Sequence, residues 1–558
     1  MRNLGEDTGY PVGGNRIMAL SQEYQALHSR ETRIRITLWV LIPALLLVVV
    51  RTLLWHQYFD ESDKRDRKFI DGREAVTGMH CANDRSRWAA VVALVNYGTW
   101  EIDEVDRLRG SRGNWGTIDK VYHSNSEGEE HFYSSKPPLF SLLIAAQYWL
   151  VHQGLGLDLL KNPLWIIKSL VFLNHGLLFG AMIWAYLSIA MRFIERRGVV
   201  ICLGLALGFC TFLSTFAVSL NNHLPAAACV LASLCVVIRI VMDKRDTPLN
   251  YFLVGFLSAL TVTFELPALA FLGLIGLWML THRPGLTMAC GVPGVIVVTV
   301  CFLGTNYWVH ESIWPPYAHR SDGAVVELID ADDAATLISG RVPESMTMFS
   351  ETMPGMGDFL VESHPLVGRW RIYDFQNSQR FALQRVGNLY EIRQWDNWYD
   401  YEVNGRPSYW LPGIASGVDQ GESSRWLYLF HITFGHHGIF SLTPIWMFSL
   451  MGIAVAWRDP EIFWRRLAII TLVITVVLLA FYAFRPIQDR NYGGVASGFR
   501  WFFWMTPLML MMLVPAWKIM KRSLLLMFLW FVGMAISFYS ATHGFLNPWQ
   551  HPWPFSDT

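Results

Sequence analysis

The chain has 558 residues, of which 53% are hydrophobic and only 16% are charged. Soluble domains carry about 25% charged residues, so this composition favours a bilayer over water as the solvent. The 45 basic and 45 acidic residues cancel, which argues against nucleic acid as a partner. Most of the cysteines lie within apolar runs, where a thiol behaves as a small hydrophobe, so neither a disulfide framework nor a cysteine metal site is predicted.

Runs of apolar residues predict an all-α polytopic membrane protein with about 11 transmembrane helices, since a span needs about 20 such residues. The first run, Ile36–Trp55, follows a polar segment and lacks a small-residue cleavage site. We interpret it as an uncleaved span with the N-terminus in the cytoplasm. The other runs predicted to span are Leu164–Met191, Val199–Leu220, Leu224–Val241, Tyr251–Thr263, Leu266–Leu280, Leu286–Leu303, Ile439–Trp457, Leu467–Phe484, Trp501–Trp517 and Leu524–Tyr539.

The connectors between these runs set the predicted orientation. Threading from a cytoplasmic N-terminus places every short basic connector inside, as the positive-inside rule requires. These connectors carry Arg192, Arg239, Arg283, Arg458 and Lys518. The two long polar segments, His56–Pro138 and Asn306–Tyr428, then lie outside. The apolar run Leu139–Val151 is too short to cross, so we predict an interfacial helix on the outer surface.

This topology divides the chain into five segments. They are a cytoplasmic N-terminal segment (1–35), a transmembrane module (36–304) that includes the first outer loop (56–163), an outer loop domain (305–428), C-terminal transmembrane helices (429–541) and an outer tail (542–558). The outer loop domain is too long to be a bare connector, and its sequence predicts a small, ordered, strand-poor domain.

Two charged residues of the first outer loop are candidates for chemistry. Asp84 opens a helix-like stretch, where an acid serves either as a helix cap or as a catalytic group. Lys136 precedes two prolines that fix an extended entry into the interfacial helix. Its ammonium is predicted either to snorkel beside the membrane or to bind a lipid phosphate.

Further polar groups lie at the predicted outer ends of spans. Glu265 interrupts a continuous apolar stretch, where a carboxylate is costly and is therefore a functional candidate; a tight hairpin at the membrane surface is the alternative. Arg500 opens a late span, and a cation at a helix start is unfavourable unless an anion compensates it or it anchors at the interface. Asn222 and His223 lie in an outer turn, where polar residues alone indicate little.

Several motifs resemble the GT-C superfamily, and most closely its branch of lipid A aminoarabinose transferases and protein O-mannosyltransferases. Asp84–Ala89 is similar to an Asp followed by an Arg-aromatic-Ala cluster, and Gly98–Trp100 to a Gly-Asp/Thr-Trp element. Lys136–Leu139 matches a Lys-Pro-Pro-Leu that opens an interfacial helix, and Gly493–Arg500 a glycine-rich segment before a late span. Asn222–Pro225 stands where the family has an Asp-Met-Pro-Leu type turn, without the acid.

The resemblance implies a GT-C-like bundle and inverting transfer of a sugar from a polyprenyl-phosphate donor to a protein, lipid or glycan acceptor. It implies that Asp84 is the general base, kept ionised by Arg85 or Arg87, and that Lys136 and Arg500 bind the donor phosphate. The residues expected to contact substrate are Arg87, Tyr133, Asn222, His223 and Glu265. We assign no metal ligands, and the resemblance leaves a divalent metal open.

The resemblance favours a bacterial inner membrane with a periplasmic active site. Asp84, Lys136 and Arg500 are then expected to converge on one cavity. A transporter or flippase for a lipid-linked or polar solute would use the same intramembrane charges, but it predicts inverted repeats that the sequence does not show. A non-catalytic envelope protein predicts that these three residues lie far apart. No nucleotide-binding or hydrolase motif occurs in a suitable context.

Overall fold

The computed structural model describes residues 29–58, 69–70, 73–74, 76–108, 115–343, 345–346, 359–374, 379–544 and 546–555. Most of the predicted cytoplasmic segment (1–35), parts of both long loops and the end of the predicted tail (542–558) lie outside these residues. The longer helices are α1 (Arg30–Leu54), α2 (Ala82–Val92), α3 (Pro138–Leu155), α4 (Pro163–Phe193), α5 (Arg197–Phe209), α6 (His223–Val241), α7 (Pro248–Phe264), α8 (Leu266–His282), α9 (Pro284–His310), α10 (Ile445–Trp457), α11 (Ile462–Ala483), α12 (Arg500–Met520) and α13 (Leu524–His543). Shorter helices are Asp103–Asp106, Phe212–Phe216, Ala331–Ile338, Arg425–Thr433 and Ile439–Leu442.

Seven of these helices are long and apolar enough to span a membrane, namely α1, α4, α6, α9, α11, α12 and α13. Four shorter apolar helices, α5, α7, α8 and α10, lie between them in the chain. The prediction of a multi-pass helical membrane protein is confirmed at this level, and the count of about 11 spans stays a prediction. Helix α3 contains the predicted interfacial run, extends to 18 residues and is not one of the seven.

The second long loop contains a five-stranded antiparallel sheet, so the expectations of an all-α fold and a strand-poor outer domain are wrong. The strands are β1 (Gln57–Tyr58), β2 (Phe69–Ile70), β3 (Arg73–Glu74), β4 (Val76–Thr77), β5 (Lys120–Ser124), β6 (Glu130–Ser134), β7 (Val325–Ile329), β8 (Phe359–Ser363), β9 (Arg369–Asp374), β10 (Gln379–Val386), β11 (Leu389–Gln394), β12 (Glu402–Val403) and β13 (Arg406–Pro407). The strand order in the five-stranded sheet is β7-β11-β10-β9-β8, and the other strands form two-stranded pairs.

The sheet forms because its sequence combines a tight turn with one apolar face. Strands β10 and β11 are joined by two residues, and the first of them, Gly387, has a φ of +66°, as a two-residue hairpin turn requires. Ile372, Leu383 and Ile392 are fully buried and pack with the helix Ala331–Ile338. This small core is separate from the core of the helical bundle.

Helices α7 and α9 touch backbone to backbone. A Cβ atom added at Gly255 of α7 would overlap the carbonyl oxygen of Gly291 in α9, and one at Gly294 would overlap the carbonyl oxygen of Phe252. Small residues permit such close approach between membrane helices, where packing replaces the hydrophobic effect as the driving force. The spacing of α7 and α9 is therefore fixed by their backbones.

The helical bundle has two chemically different ends. The start of α6 and the end of α7 meet at one end, where the Asn222 side-chain amide donates to the backbone oxygen of Phe264 at 2.8 Å. We call this the loop end, because segments of both long loops pack there. We call the opposite end the connector end, because the short basic connectors lie there. Ion pairs join neighbouring segments at this end, including Arg192 to Asp243 at 2.5 Å and Lys518 to Asp459 at 2.5 Å.

Candidate functional site

A cavity of about 660 Å³ lies at the loop end, between the helices and the two long loops. Its charged lining contains five cations and four carboxylates. The cations are Arg87, Lys136, Arg320, Arg485 and Arg500. The carboxylates are Asp119, Glu265, Asp419 and Asp489. Such a density of charge at the end of an apolar bundle is costly unless the groups bind one another or a ligand.

Arg320 and Arg485 are paired within the protein. Both guanidiniums donate to the carboxylate of Asp489 at 2.7 Å. Lys136 is also paired, because its Nζ lies 3.0 Å from Oδ1 of Asp119. Burial lowers the pKa of Lys136, and the neighbouring Asp119 partly opposes this shift. These cations therefore have internal counter-charges.

Arg87 and Arg500 have no such counter-charge. Within the described part of the chain, no carboxylate oxygen lies within 4.0 Å of either guanidinium. Arg87 instead donates to the backbone oxygen of Asn83 at 3.1 Å, and burial lowers its pKa to about 10. Arg500 donates to the backbone oxygen of Gly493 and lies over the Trp549 ring, with 5.0 Å between the guanidinium carbon and the ring centroid. The buried Arg87 and the half-buried Arg500 thus have no carboxylate in contact among the described residues.

A chain of hydrogen bonds connects the two unpaired guanidiniums. Arg87 donates to the Asn222 side-chain oxygen at 3.0 Å, and Asn222 donates to Glu265 at 2.7 Å. At the other side Arg500 donates to Nε2 of His223 at 3.2 Å, which makes Nδ1 of that imidazole the donor to Glu265. Glu265 therefore accepts from both sides, and this network holds the two guanidiniums in place.

Local chain geometry explains why Glu265 is tolerated in an apolar stretch. Helix α7 ends at Phe264, and Glu265 has an extended backbone before the next helix begins. The two predicted alternatives therefore occur together, because Glu265 lies in a tight hairpin and also lines the cavity. Its charge is compensated by the hydrogen bonds from Asn222 and His223.

Asp84 is the third residue of α2 and closes a capping box with the N-cap residue Cys81. Its Oδ2 accepts from the backbone N–H of His80 at 2.7 Å and its Oδ1 from that of Cys81 at 2.9 Å. The carboxylate is 1% exposed, and Asp84 is not among the residues that line the cavity, although its neighbour Asn83 is. Burial raises the pKa of Asp84 to about 6, so the expectation that adjacent arginines keep it low is wrong.

The remaining predicted site residue, Tyr133, also lies behind the cavity wall. It is 3% exposed in β6, and its ring stacks on His123 with 4.3 Å between the ring centroids. The structure therefore brings together six of the eight predicted residues and leaves Asp84 and Tyr133 outside. The six are Arg87, Lys136, Asn222, His223, Glu265 and Arg500.

Three cavity carboxylates, Asp119, Asp419 and Asp489, were not singled out from the sequence. Asp119 directly precedes β5 in a polar stretch, where nothing in the local pattern marks an acid. Asp419 accepts from the Tyr409 hydroxyl at 3.1 Å, and burial raises its pKa. Among the described residues, no group of three or more His, Cys, Asp or Glu side chains is arranged to hold a metal ion.

No protein-family model matches this chain, and no curated protein matches it. The function of the site therefore has to be inferred from its own geometry.

Proposed function

We propose that the protein is a membrane glycosyltransferase that moves a sugar from a polyprenyl-phosphate donor to an acceptor hydroxyl, with inversion at the sugar carbon. The observation that carries this proposal is the pair of guanidiniums, the buried Arg87 and the half-buried Arg500, that line one cavity without a carboxylate partner. Guanidiniums bind phosphate oxygens through planar, charge-assisted hydrogen bonds, so a phosphate is the ligand that this pair fits best.

The position of the cavity favours a lipid-linked phosphate. Arg500 opens α12, one of the helices long enough to span a membrane, and His223 opens another, α6. A phosphate bound between these helix starts would lie near the membrane surface, with its polyprenyl chain able to remain in the bilayer. A lipid donor also accounts for a sugar-transfer site within a membrane protein. The proposal includes about 11 spans and a periplasmic loop end in a bacterial inner membrane, which rest on the apolar runs, the basic connectors and the family resemblance of the sequence.

We assign the general base to Asp119 rather than to Asp84. Asp119 lines the cavity and its carboxylate contacts Lys136, whereas both carboxylate oxygens of Asp84 are occupied by backbone N–H groups. In the proposed step, Asp119 takes the proton of the acceptor hydroxyl while the oxygen of that hydroxyl bonds to the anomeric carbon of the sugar. The bond from that carbon to the phosphate oxygen breaks on the opposite face, and polyprenyl phosphate leaves with the electron pair.

The cations have a separate role in this step. Negative charge grows on the leaving phosphate as its bond to the sugar breaks, and preorganised donors stabilise that charge without reorganisation. Arg87, Lys136 and Arg500 are held by the internal contacts described above, so their orientation does not depend on the ligand. Glu265, Asn222 and His223 would then line the sugar-binding part of the cavity.

The proposal is tested with purified protein in liposomes, supplied with a panel of radiolabelled polyprenyl-phosphate sugars and membrane extracts as acceptor. We expect release of polyprenyl phosphate and transfer of label for one donor. Arg500→Gln should weaken donor binding by about 1.5–3 kcal/mol, or about 10- to 150-fold, as for other hydrogen bonds to charged groups. The matched control is Arg466→Gln at the connector end, where the guanidinium contacts Thr281. Movement of intact donor across the bilayer without bond cleavage would indicate the flippase alternative and refute the transferase.

A further inference from the structure

A short helix between the five-stranded sheet and the last group of membrane helices has two apolar faces. We call this element, Arg425–Thr433, the Trp426 helix. Tyr428 and Ile432 are fully buried against the bundle. Trp426, in contrast, is 81% exposed, and Phe430 is 54% exposed. At 3.6 residues per turn, the two exposed rings lie within about 40° of each other and roughly opposite the buried pair.

This exposed aromatic stripe extends beyond the two rings. Phe434, which directly follows the Trp426 helix, is also more than half exposed, and Leu427 is exposed on the same side. A single exposed apolar side chain is ordinary, whereas a contiguous row of large ones marks a surface that contacts a membrane or another protein. The stripe therefore needs an occupant.

The position of the Trp426 helix identifies lipid as that occupant. The helix packs beside α11, which has 22 residues. Its length of about 33 Å matches the hydrocarbon core of a bilayer, about 30 Å, so the end of α11 at Ala483 marks the bilayer boundary. Phe481 and Phe484 are exposed at this end, and the guanidinium carbon of Arg425 lies 5.3 Å from the centroid of the Phe484 ring. The stripe thus adjoins the lipid-facing surface of α11 at the depth that Trp and Arg side chains favour.

The buried face of the Trp426 helix is joined to the wall of the cavity. The Tyr428 hydroxyl donates to the backbone oxygen of Asn491 at 2.7 Å. The side-chain oxygen of Asn491 accepts from the backbone N–H of Gly493 at 2.9 Å, and the backbone oxygen of Gly493 accepts from Arg500. A Cβ atom added at Gly493 would overlap the Arg500 side chain, so this close approach requires glycine. The segment that holds the Arg500 guanidinium is therefore supported by the Trp426 helix.

We propose that the Trp426 helix docks on the lipid bilayer at the loop end, and that this contact stabilises the segment 491–493 that holds Arg500. The aromatic stripe lies at the boundary between headgroups and acyl chains, where helices lie in the membrane plane through large apolar side chains. Trp426 suits this depth because its ring is apolar and its indole N–H can meet a headgroup. The inference does not rest on the proposed transferase, because Trp426 and Phe430 do not line the cavity.

The depth of the stripe is measured by spin-label accessibility of the full-length protein in nanodiscs of phosphatidylcholine and phosphatidylglycerol. A nitroxide is attached to Trp426→Cys or Phe430→Cys, in a background in which the exposed Cys301 is removed as Cys301→Ser and whose own signal is subtracted. We expect oxygen, which concentrates in lipid, to relax both labels several-fold more strongly than a water-soluble nickel chelate. Val367→Cys, in the fully exposed loop between β8 and β9, is the aqueous control, and Phe528→Cys on α13 is the lipid control.

Hydrogen exchange tests whether the bilayer contact extends to the cavity wall. The double variant Trp426→Ser with Phe430→Ser should speed amide exchange of the segment 491–493 several-fold in nanodiscs. Because both rings face away from the bundle, the double variant should exchange like wild type in amphipol, where no bilayer is present. The matched control is Leu524→Ser with Leu525→Ser, which removes exposed apolar side chains at the connector end and should leave the segment unchanged.

The outcomes separate the alternative occupants of the stripe. If nickel relaxes both labels as strongly as the Val367→Cys label, the stripe lies in water and the proposal is overturned. It is also overturned if neither reagent reaches the labels when a nanodisc holds two copies, while nickel reaches them in discs with one copy, since a second copy would then cover the stripe. Unchanged exchange in the double variant would refute the coupling to Arg500. Donor cleavage is a separate assay, and its failure would remove the proposed transferase while leaving the depth measurements intact.

Discussion

The Asp119–Lys136 pair gives the sharpest test of the proposed chemistry, through the variant Asp119→Asn. Two unit charges 3.0 Å apart attract by about 5.5 kcal/mol at an effective dielectric constant of about 20. The asparagine oxygen still accepts from the lysine, and the two side chains keep 18% and 12% exposure. We therefore expect a net loss of about 2–3 kcal/mol in the free energy of unfolding, less than the about 3–5 kcal/mol for breaking a fully buried pair.

The same variant should separate catalysis from donor binding. Loss of the base should slow sugar transfer by about 10²- to 10⁴-fold. Donor binding should be unchanged or tighter, because the variant lacks the negative charge of Asp119 beside the proposed phosphate site. Unfolding in mixed micelles with increasing SDS gives the stability, and label transfer in liposomes gives the rate. Asp106→Asn is the matched control, since it removes the charge from another aspartate–lysine pair among the described residues of this loop, at 2.5 Å from Lys120 and away from the cavity. A wild-type transfer rate for Asp119→Asn would refute the assignment of the base.

Two further predictions concern residues outside the proposed chemistry. Asp84→Asn should cost about 1 kcal/mol of stability at neutral pH, as for a weakened helix cap, and leave the transfer rate of the folded protein within about threefold of wild type. Burial raises the pKa of Asp84 to about 6, so between about pH 4 and 6 the folded protein retains a proton that the unfolded chain releases. The stability of wild type relative to Asp84→Asn should therefore fall as the pH rises through this range. If Asp84→Asn lost transfer completely at normal stability, the role of general base would be assigned to Asp84 instead. Gly255→Ala should destabilise the protein by about 1–3 kcal/mol through overlap with α9, whereas Gly273→Ala, whose added methyl group meets nothing within 4 Å, should be neutral in the same SDS unfolding assay.

The sequence predicted the membrane class because apolar runs are a strong signal. The run Leu224–Val241 corresponds closely to α6, His223–Val241, and Leu524–Tyr539 to α13, Leu524–His543. Composition over about 20 residues decides such segments, and no long-range contact is needed. The five-stranded sheet was missed, since strands such as β9 alternate short apolar and charged stretches whose pairing depends on distant residues.

The candidate site also combines residues that the sequence identifies with residues that it does not. Arg500 and Glu265 could be identified because a charge at a span end stands out from its surroundings. Asp119 could not, because an acid in a polar loop is ordinary until the fold places Lys136 beside it. Asp84 was identified by its motif, but the hydrogen bonds from the backbone of His80 and Cys81 could not be read from the sequence.

The backbone contact between α7 and α9 has a consequence for the cavity at the loop end. Helix α7 ends at Phe264, directly before Glu265, which accepts hydrogen bonds from Asn222 and His223. No side chain separates α7 from α9 at Gly255 and Gly291, so the spacing of the two helices cannot adjust by rotamer changes. The pair of helices is therefore a rigid mount for Glu265, and a contact deep in the bundle sets the geometry of a polar network at its surface.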